Sequence, residues 1–163
     1  VVVDTRGPWA NQALSEGDRP FWPIRFVKAF NLVVDRRLED VAIALRSKNS
    51  SRQFFFVPRG DHTAIGTEYY DCDSPEATVS EIEIAAFLRE INSLTPELNL
   101  TGADVCTIDC GVLPGIYGAA KAPSLIGSER ILRKGRVVKV LSTKYTTFLA
   151  QARKVLEQAE ALF

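Results

Sequence analysis

At 163 residues, 46% of them hydrophobic and 25% charged, the chain is long enough for one or two small cores and too apolar for a disordered segment. Its 20 basic residues balance its 20 acidic ones, so neither nucleic acid nor an anionic membrane surface is an expected partner. No apolar run approaches the roughly 20 residues that span a bilayer, and three cysteines without a CxxC pair suit a reducing, cytoplasmic compartment, with peripheral membrane attachment left open.

Val1-Val2-Val3 followed by Asp4-Thr-Arg-Gly-Pro-Trp9 predicts a short strand ending in a Gly-Pro turn, with Trp9 and Leu14 packing on the elements downstream. The chain contains no methionine, and this strand reads as the last one of another domain, so a piece of a longer protein is expected. Glu16–Pro23, with two prolines, a glycine and several charges, predicts a crossing between domains.

The pattern then turns to β. Ile24–Val34, Val41–Arg46, Gln53–Val57 and Thr63–Glu68 are rich in β-branched and aromatic residues. Pro58-Arg-Gly-Asp61 joins the last two as a hairpin whose tip residues Arg59 and His62 face solvent, while Phe54–Phe56 supply packing. Asp71–Pro75 reads as loop. Thr78-x-x-Glu81 fits a capping box, and Ile84, Phe87, Leu88, Ile91 and Leu94 mark the apolar face of a helix that stops before Pro96.

A strand over Ala103–Val112 comes next, carrying Cys106 and Cys110 on one face. With His62 the single histidine, no metal site is expected. Gly111-Val-Leu-Pro-Gly115 leads into Ile116–Ser128, a Gly, Ala, Pro and Ser stretch expected to be irregular loop.

The closing unit is a strand over Arg136–Leu141 and a helix over Tyr145–Leu162, with Phe148, Leu149, Ala152, Val155, Leu156 and Ala159 expected inward. Between them, Ser142, Thr143, Thr146 and Thr147, the cation of Lys144 and the free N–H groups of a helix start converge on one turn, a combination suited to an anion. The same hydroxyls also serve as plain helix caps. The inventory is α+β: a mostly antiparallel sheet with flanking helices, inserted between two strand fragments of a host domain.

Several of these segments, in order, resemble the second half of the flavin-dependent glycerol-3-phosphate dehydrogenases and the wider D-amino-acid-oxidase-like superfamily. Val1–Trp9 is similar to a strand ending in Ala-Thr-Gly-Pro-Trp, and Phe55-Phe-Val-Pro58 through Ile65-Gly-Thr67 is similar to a hairpin ending in Ile-Gly-Thr-Thr-Asp. Thr78–Asn92 resembles the helix that comes next. Gly111-Val-Leu-Pro114 stands where the family has Gly-Val-Arg-Pro, and Val138–Phe148 where a strand enters Gly-Gly-Lys-x-Thr-Thr-Tyr-Arg.

The resemblance implies FAD as cofactor, with residues 1–15 and 126–163 as remnants of an FAD-binding domain and 16–125 as a substrate-binding domain. The family's N-terminal GxGxxG fingerprint is absent from this sequence, so the fragment by itself is expected to bind FAD poorly and to be inactive. By resemblance, Lys144 and the N–H groups of Tyr145, Thr146 and Thr147 favour the reduced flavin anion, Ser142 and Thr143 line the same turn, and Gly7 and Pro8 let the backbone approach the cofactor. Thr67 and Leu113 fall at substrate-side positions; for Thr67 the plainer alternative is a hydroxyl satisfied at a strand end. The implied chemistry is hydride transfer from a small polar alcohol or amine to flavin, reoxidised by quinone or oxygen.

The departures concern the substrate and the cofactor's seat. Leu113 cannot make the charge-assisted bonds of an arginine, which argues against glycerol 3-phosphate itself but not against compounds like it. Ser142-Thr143 replaces Gly-Gly and adds side chains where the cofactor sits on the backbone, and Arg6 replaces a threonine. These departures leave open a non-catalytic α+β ligand-binding or interaction module that has lost cofactor binding.

Overall fold

The computed structural model describes residues 1–11, 24–47, 52–116 and 124–161. Leu14, the crossing at Glu16–Pro23, positions 117–123 of the expected loop and Leu162 lie outside the described residues. In chain order the elements are β1 (Val2–Asp4), β2 (Arg25–Val34), β3 (Ile43–Arg46), β4 (Gln53–Arg59), β5 (His62–Cys72), α1 (Glu81–Leu94), β6 (Val105–Ile116), β7 (Ser124–Leu125), β8 (Arg130–Lys134), β9 (Val137–Leu141) and α2 (Phe148–Glu160). A six-stranded sheet has the order β3-β4-β5-β2-β6-β7 and a three-stranded sheet the order β1-β9-β8. Pairs β3–β4, β4–β5, β6–β7 and β8–β9 are antiparallel, and β1–β9 is parallel. This is the α+β class expected.

The chain divides into two compact units. One comprises Val1–Lys28, Tyr70–Glu76 and Val112–Phe163, the other Ala29–Tyr69 and Ala77–Gly111.

In the second unit the period-2 pattern of β4 buries Phe54 and Phe56 and turns Phe55 and Val57 outward. Helix α1 covers the inner face: Phe87 meets Phe30 edge-on and Phe54 at a tilt, both at 5.7 Å between ring centroids, with Leu88 and Ile91 also buried. The β4–β5 hairpin turns at Gly60, whose φ of 62° favours glycine.

Several boundaries differ from the sequence reading. Ser124–Leu125, inside the expected irregular loop, form β7 by pairing with Gly115 and Ile116, and the helix expected from Tyr145 begins at Phe148 after a 3-10 turn. Three further shifts have local causes. Strand β5 runs on to Cys72, taking in Asp71, because Tyr69 and Tyr70 extend its β-forming run. Helix α1 starts at Glu81, capped by Ser80 with Glu83, rather than at Thr78 with Glu81. Two boxes two residues apart were available, and the Thr78 box would put β-branched Val79 at the first helical position, whereas the Ser80 box starts the helix at Glu81. Strand β6 continues through Pro114 to Ile116; β7 pairs only beyond that proline, at Gly115 and Ile116, so on that side its missing N–H costs no bond.

In the first unit β1 lies against β9 in the register Val2↔Val137, Val3↔Val138 and Asp4↔Lys139. Ala10, Ile24, Ile126 and Leu141 form a buried cluster with Phe26 packed on it. The β8–β9 hairpin, turning at Gly135 with φ 58°, includes a strand the sequence pattern hides, since nearly every β8 position is exposed. Helix α2 buries Gln151, Val155 and Ala159. Phe148, Leu149, Ala152 and Leu156, expected inward, are exposed instead. The sequence offers two apolar stripes, and the helix turns inward the one that carries Gln151, whose amide bonds to Ser142 and Thr147 in the turn ahead of the helix.

Candidate functional site

Because β1 and β9 are parallel neighbours, their carboxyl ends lie side by side, and each delivers a turn to the same edge. From β1 the chain enters a 3-10 turn over Gly7–Asn11, which packs on β9. Gly7 adopts a φ of 60°, a conformation that strains any other residue, and Pro8 is buried beside it. From β9 the chain enters Ser142–Lys144, then a 3-10 turn over Tyr145–Thr147, then α2. The carboxyl end of parallel strands is where ligands bind in open α/β sheets.

The hydroxyls of the second turn are mostly committed within it. Ser142 Oγ accepts from the Lys144 backbone N–H at 3.2 Å and from Gln151 Nε2 at 2.8 Å. Thr143 Oγ1 donates to the Ile126 carbonyl at 2.9 Å. Thr147 Oγ1 donates to the Lys144 carbonyl at 3.0 Å and accepts from Gln151 Nε2, and the Thr147 N–H is also taken by that carbonyl. The Tyr145 and Thr146 N–H groups are left without an acceptor among the described residues. Tyr145, 87% exposed, stacks on Phe148 at 5.8 Å.

A pocket of about 210 Å³ opens here, walled by Ser142, Thr143, Lys144 and Thr147 on one side and Ser128 and Glu129 on the other. Glu129 is held below the usual carboxylate range chiefly by its hydrogen bond from Lys154, with the Lys144 charge adding to it. Lys154 thus offsets the one carboxylate on this wall, and Lys144 is exposed with no ion pair among the described residues.

Beneath the first turn lies a buried charge cluster. Asp4 is 3% exposed and accepts from the Arg6 backbone N–H, Nε and Nη2 at 3.2, 2.9 and 3.0 Å. These bonds hold its carboxyl below the usual range against the opposing effect of burial. Lys139, 1% exposed, sits opposite Asp4 with Nζ 3.7 Å from Oδ2.

In the second unit, Thr67 Oγ1 donates to Asn31 Oδ1 at 2.9 Å beside the cis Gly66–Thr67 peptide. The two residues line a pocket of about 220 Å³ on the open face of the sheet, together with Phe55, Val57 and Arg59. Arg59 is half exposed, as expected of the hairpin tip, and pairs with Asp109 at 2.6 Å; His62 Nε2 lies 3.0 Å from Asp35 Oδ1. Cys106, exposed on β6, donates from Sγ to the Val33 carbonyl at 3.3 Å.

The fold thus collects Gly7, Pro8 and Ser142–Thr147 at one edge of the first unit. Thr67 belongs to the second unit, and Leu113 is half-buried on β6 in the first. Sequence reasoning missed Gln151, Lys139 and Asn31. A glutamine inside an otherwise apolar helical stripe, and a lysine inside Val137-Val-Lys-Val-Leu141, were the available signals.

The family profile described as FAD dependent oxidoreductase matches residues 1–138. The glycerol-3-phosphate dehydrogenase of Mycobacterium leprae (strain TN) is 32% identical over 173 residues, covering 99% of this chain and 28% of that protein. The aerobic glycerol-3-phosphate dehydrogenase of Staphylococcus aureus (strain USA300) is 24% identical over 164 residues, covering 96% and 29%. Among solved structures, the X-ray structure of the glycerol-3-phosphate dehydrogenase from Bacillus halodurans complexed with FAD has a TM-score of 0.80 at 24% identity over 97% of this chain and 31% of that one. At that identity the likeness speaks to the fold. The chain spans less than a third of the length of the curated relatives it matches.

Proposed function

The chain belongs to the FAD dependent oxidoreductase family, and from that premise we propose that it is the substrate-binding portion, with one cofactor-facing edge, of an enzyme that takes hydride from a small polar alcohol or amine. Quinone or oxygen is the proposed final acceptor. The observation that carries this reading is the side-by-side placement of the Gly7 turn and the Lys144 turn at the carboxyl ends of β1 and β9.

The residues fit one edge of the dinucleotide. A pocket of about 210 Å³ is smaller than the roughly 300–1,000 Å³ of a complete small-molecule site, and its contents suit a ring edge that gains negative charge. Bound FAD supplies the two-electron acceptor. Lys144 and the open N–H groups of Tyr145 and Thr146 favour that charge, aided by the positive end of α2. The hydroxyls of Ser142 and Thr143 are tied to Gln151 and to the Ile126 carbonyl, which supports a cofactor-competent turn in spite of the two added side chains. In the turn after β1, position 7 adds no side chain.

For the substrate, Thr67 and Asn31 offer hydroxyl and amide groups in a pocket of about 220 Å³, a size for a small polar molecule. Leu113, on β6 in the first unit, carries no charge and cannot make an arginine's bonds to a phosphate. Among the described residues no helix is long and apolar enough to cross a membrane; a cytoplasmic or peripherally attached enzyme is the proposed setting.

Purifying the full-length protein tests the reading. A yellow protein with flavin absorbance that bleaches on adding a small secondary alcohol or amine is the expected result. A colourless, correctly folded full-length chain overturns it and leaves the non-catalytic module.

A further inference from the structure

The buried ammonium of Lys139 touches both ends of one loop. Its Nζ donates to the Ala10 carbonyl at 2.9 Å and lies 3.7 Å from the Asp4 carboxylate, and these two residues bracket positions 5–9, which contain Gly7 and Pro8. Lys139, Asp4 and Ala10 are 1%, 3% and 0% exposed. Between the two ends, Arg6 folds its guanidinium back onto both oxygens of Asp4.

A lysine is a costly choice for this position. Its neighbours Val138 and Leu141 are 0% and 1% exposed, and an apolar side chain of similar length would fill the space without removing a charge from water. Buried ion pairs are weak contributors to net stability, and their best-attested return is a fixed arrangement of the groups they join. Here the arrangement is specific: one nitrogen on β9 sets the positions of the last residue of β1 and of the fourth residue of the following turn.

We infer that Lys139 is a positioning residue that clamps the Gly7-Pro8 loop against β9 and so sets the gap between this loop and the Lys144 turn. The link to the cofactor rests on the function proposed above; the clamp does not. Lys139 is 1% exposed and acts through the loop.

The test uses the full-length protein and the variants Lys139→Met and Asp4→Asn/Lys139→Met, the second removing both members of the pair so that no lone charge stays buried. Amide hydrogen exchange without added FAD reads the clamp directly. Exchange over residues 5–10 is expected to quicken at least about tenfold in both variants while residues 137–141 stay protected. FAD affinity, measured by fluorescence titration, is expected to fall about tenfold in both. Should Lys139→Met fail to fold, the double variant carries the same two readouts. Unchanged exchange over residues 5–10 overturns the clamp. Affinity that returns to the wild-type value in the double variant overturns the positioning role. Wild-type protein that binds no FAD, with exchange still quickened in the variants, overturns the proposed function and the cofactor link while supporting the clamp.

Discussion

Thr67 Oγ1 donates to Asn31 Oδ1 at 2.9 Å, and the glycine preceding Thr67 leaves the space that this bond occupies. A Cβ built on Gly66 would lie 1.7 Å from Asn31 Oδ1 and 3.1 Å from Asn31 Cβ. Gly66→Ala therefore displaces Asn31, breaks the bond and overpacks the sheet, at an expected cost of about 1–3 kcal/mol. Urea denaturation of the variant measures it. Stability within about 0.5 kcal/mol of wild type, the range of neutral surface changes, would show that the strands absorb the extra methyl.

Ser80 caps α1: its Oγ accepts from the Glu83 N–H at 3.3 Å, and the Glu83 carboxylate accepts from the Ser80 N–H at 2.8 Å. Ser80→Ala is expected to lower stability by about 1 kcal/mol. An unchanged thermal midpoint would place the helix start elsewhere, with the Thr78 box as the first alternative.

Helix α2 offers a sharper contrast. Val155 is 8% exposed and Leu156 is 59% exposed. Truncating Val155 to alanine removes the equivalent of two buried CH2 groups, about 1.6 kcal/mol at roughly 0.8 kcal/mol each. In this chain Leu156→Ala is expected to stay within about 0.5 kcal/mol of wild type. Equal losses at the two positions would contradict the inward stripe.

The Asp4 carboxyl carries a pH signature. Arg6 holds it below the usual carboxylate range, so it binds its proton less readily folded than unfolded. The stability it contributes is then fully present above about pH 4 and is lost as pH falls below that value. Thermal midpoints of wild type and Asp4→Asn are expected to differ at pH 6 and to converge on acidification. A difference that persists undiminished at the lowest pH would rule out this linkage.

Much of the fold was legible because its strongest elements obey one period each. Strand β4 alternates inward Phe54 and Phe56 with outward Phe55 and Val57, and α1 repeats its apolar residues at helical spacing. Where the pattern failed, a nonlocal or polar contact had decided the outcome. Two stripes competed on α2, and the amide of Gln151, bonding Ser142 and Thr147, brought the 151-155-159 stripe inward. Strand β8 is so exposed that no alternation survives to mark it. The turn at Ser142–Thr147 was visible as a cluster of donors, but that its hydroxyls bond one another's neighbours was not. Lys139 and Ala10 are 129 residues apart, and Thr67 and Asn31 are 36 apart, so neither partnership has a local signature.

The proposed function turns on Lys144 facing flavin charge, as more than a solvated lysine ahead of a helix. The direct measurement is anaerobic stopped-flow reduction of full-length, FAD-loaded Lys144→Ala by its substrate, read beside its thermal midpoint. The expected reduction rate is at least about tenfold slower, equivalent to about 1.4 kcal/mol of lost stabilisation, with the midpoint nearly unmoved because the exposed side chain has no ion pair among the described residues. A reduction rate equal to that of the wild type would contradict it.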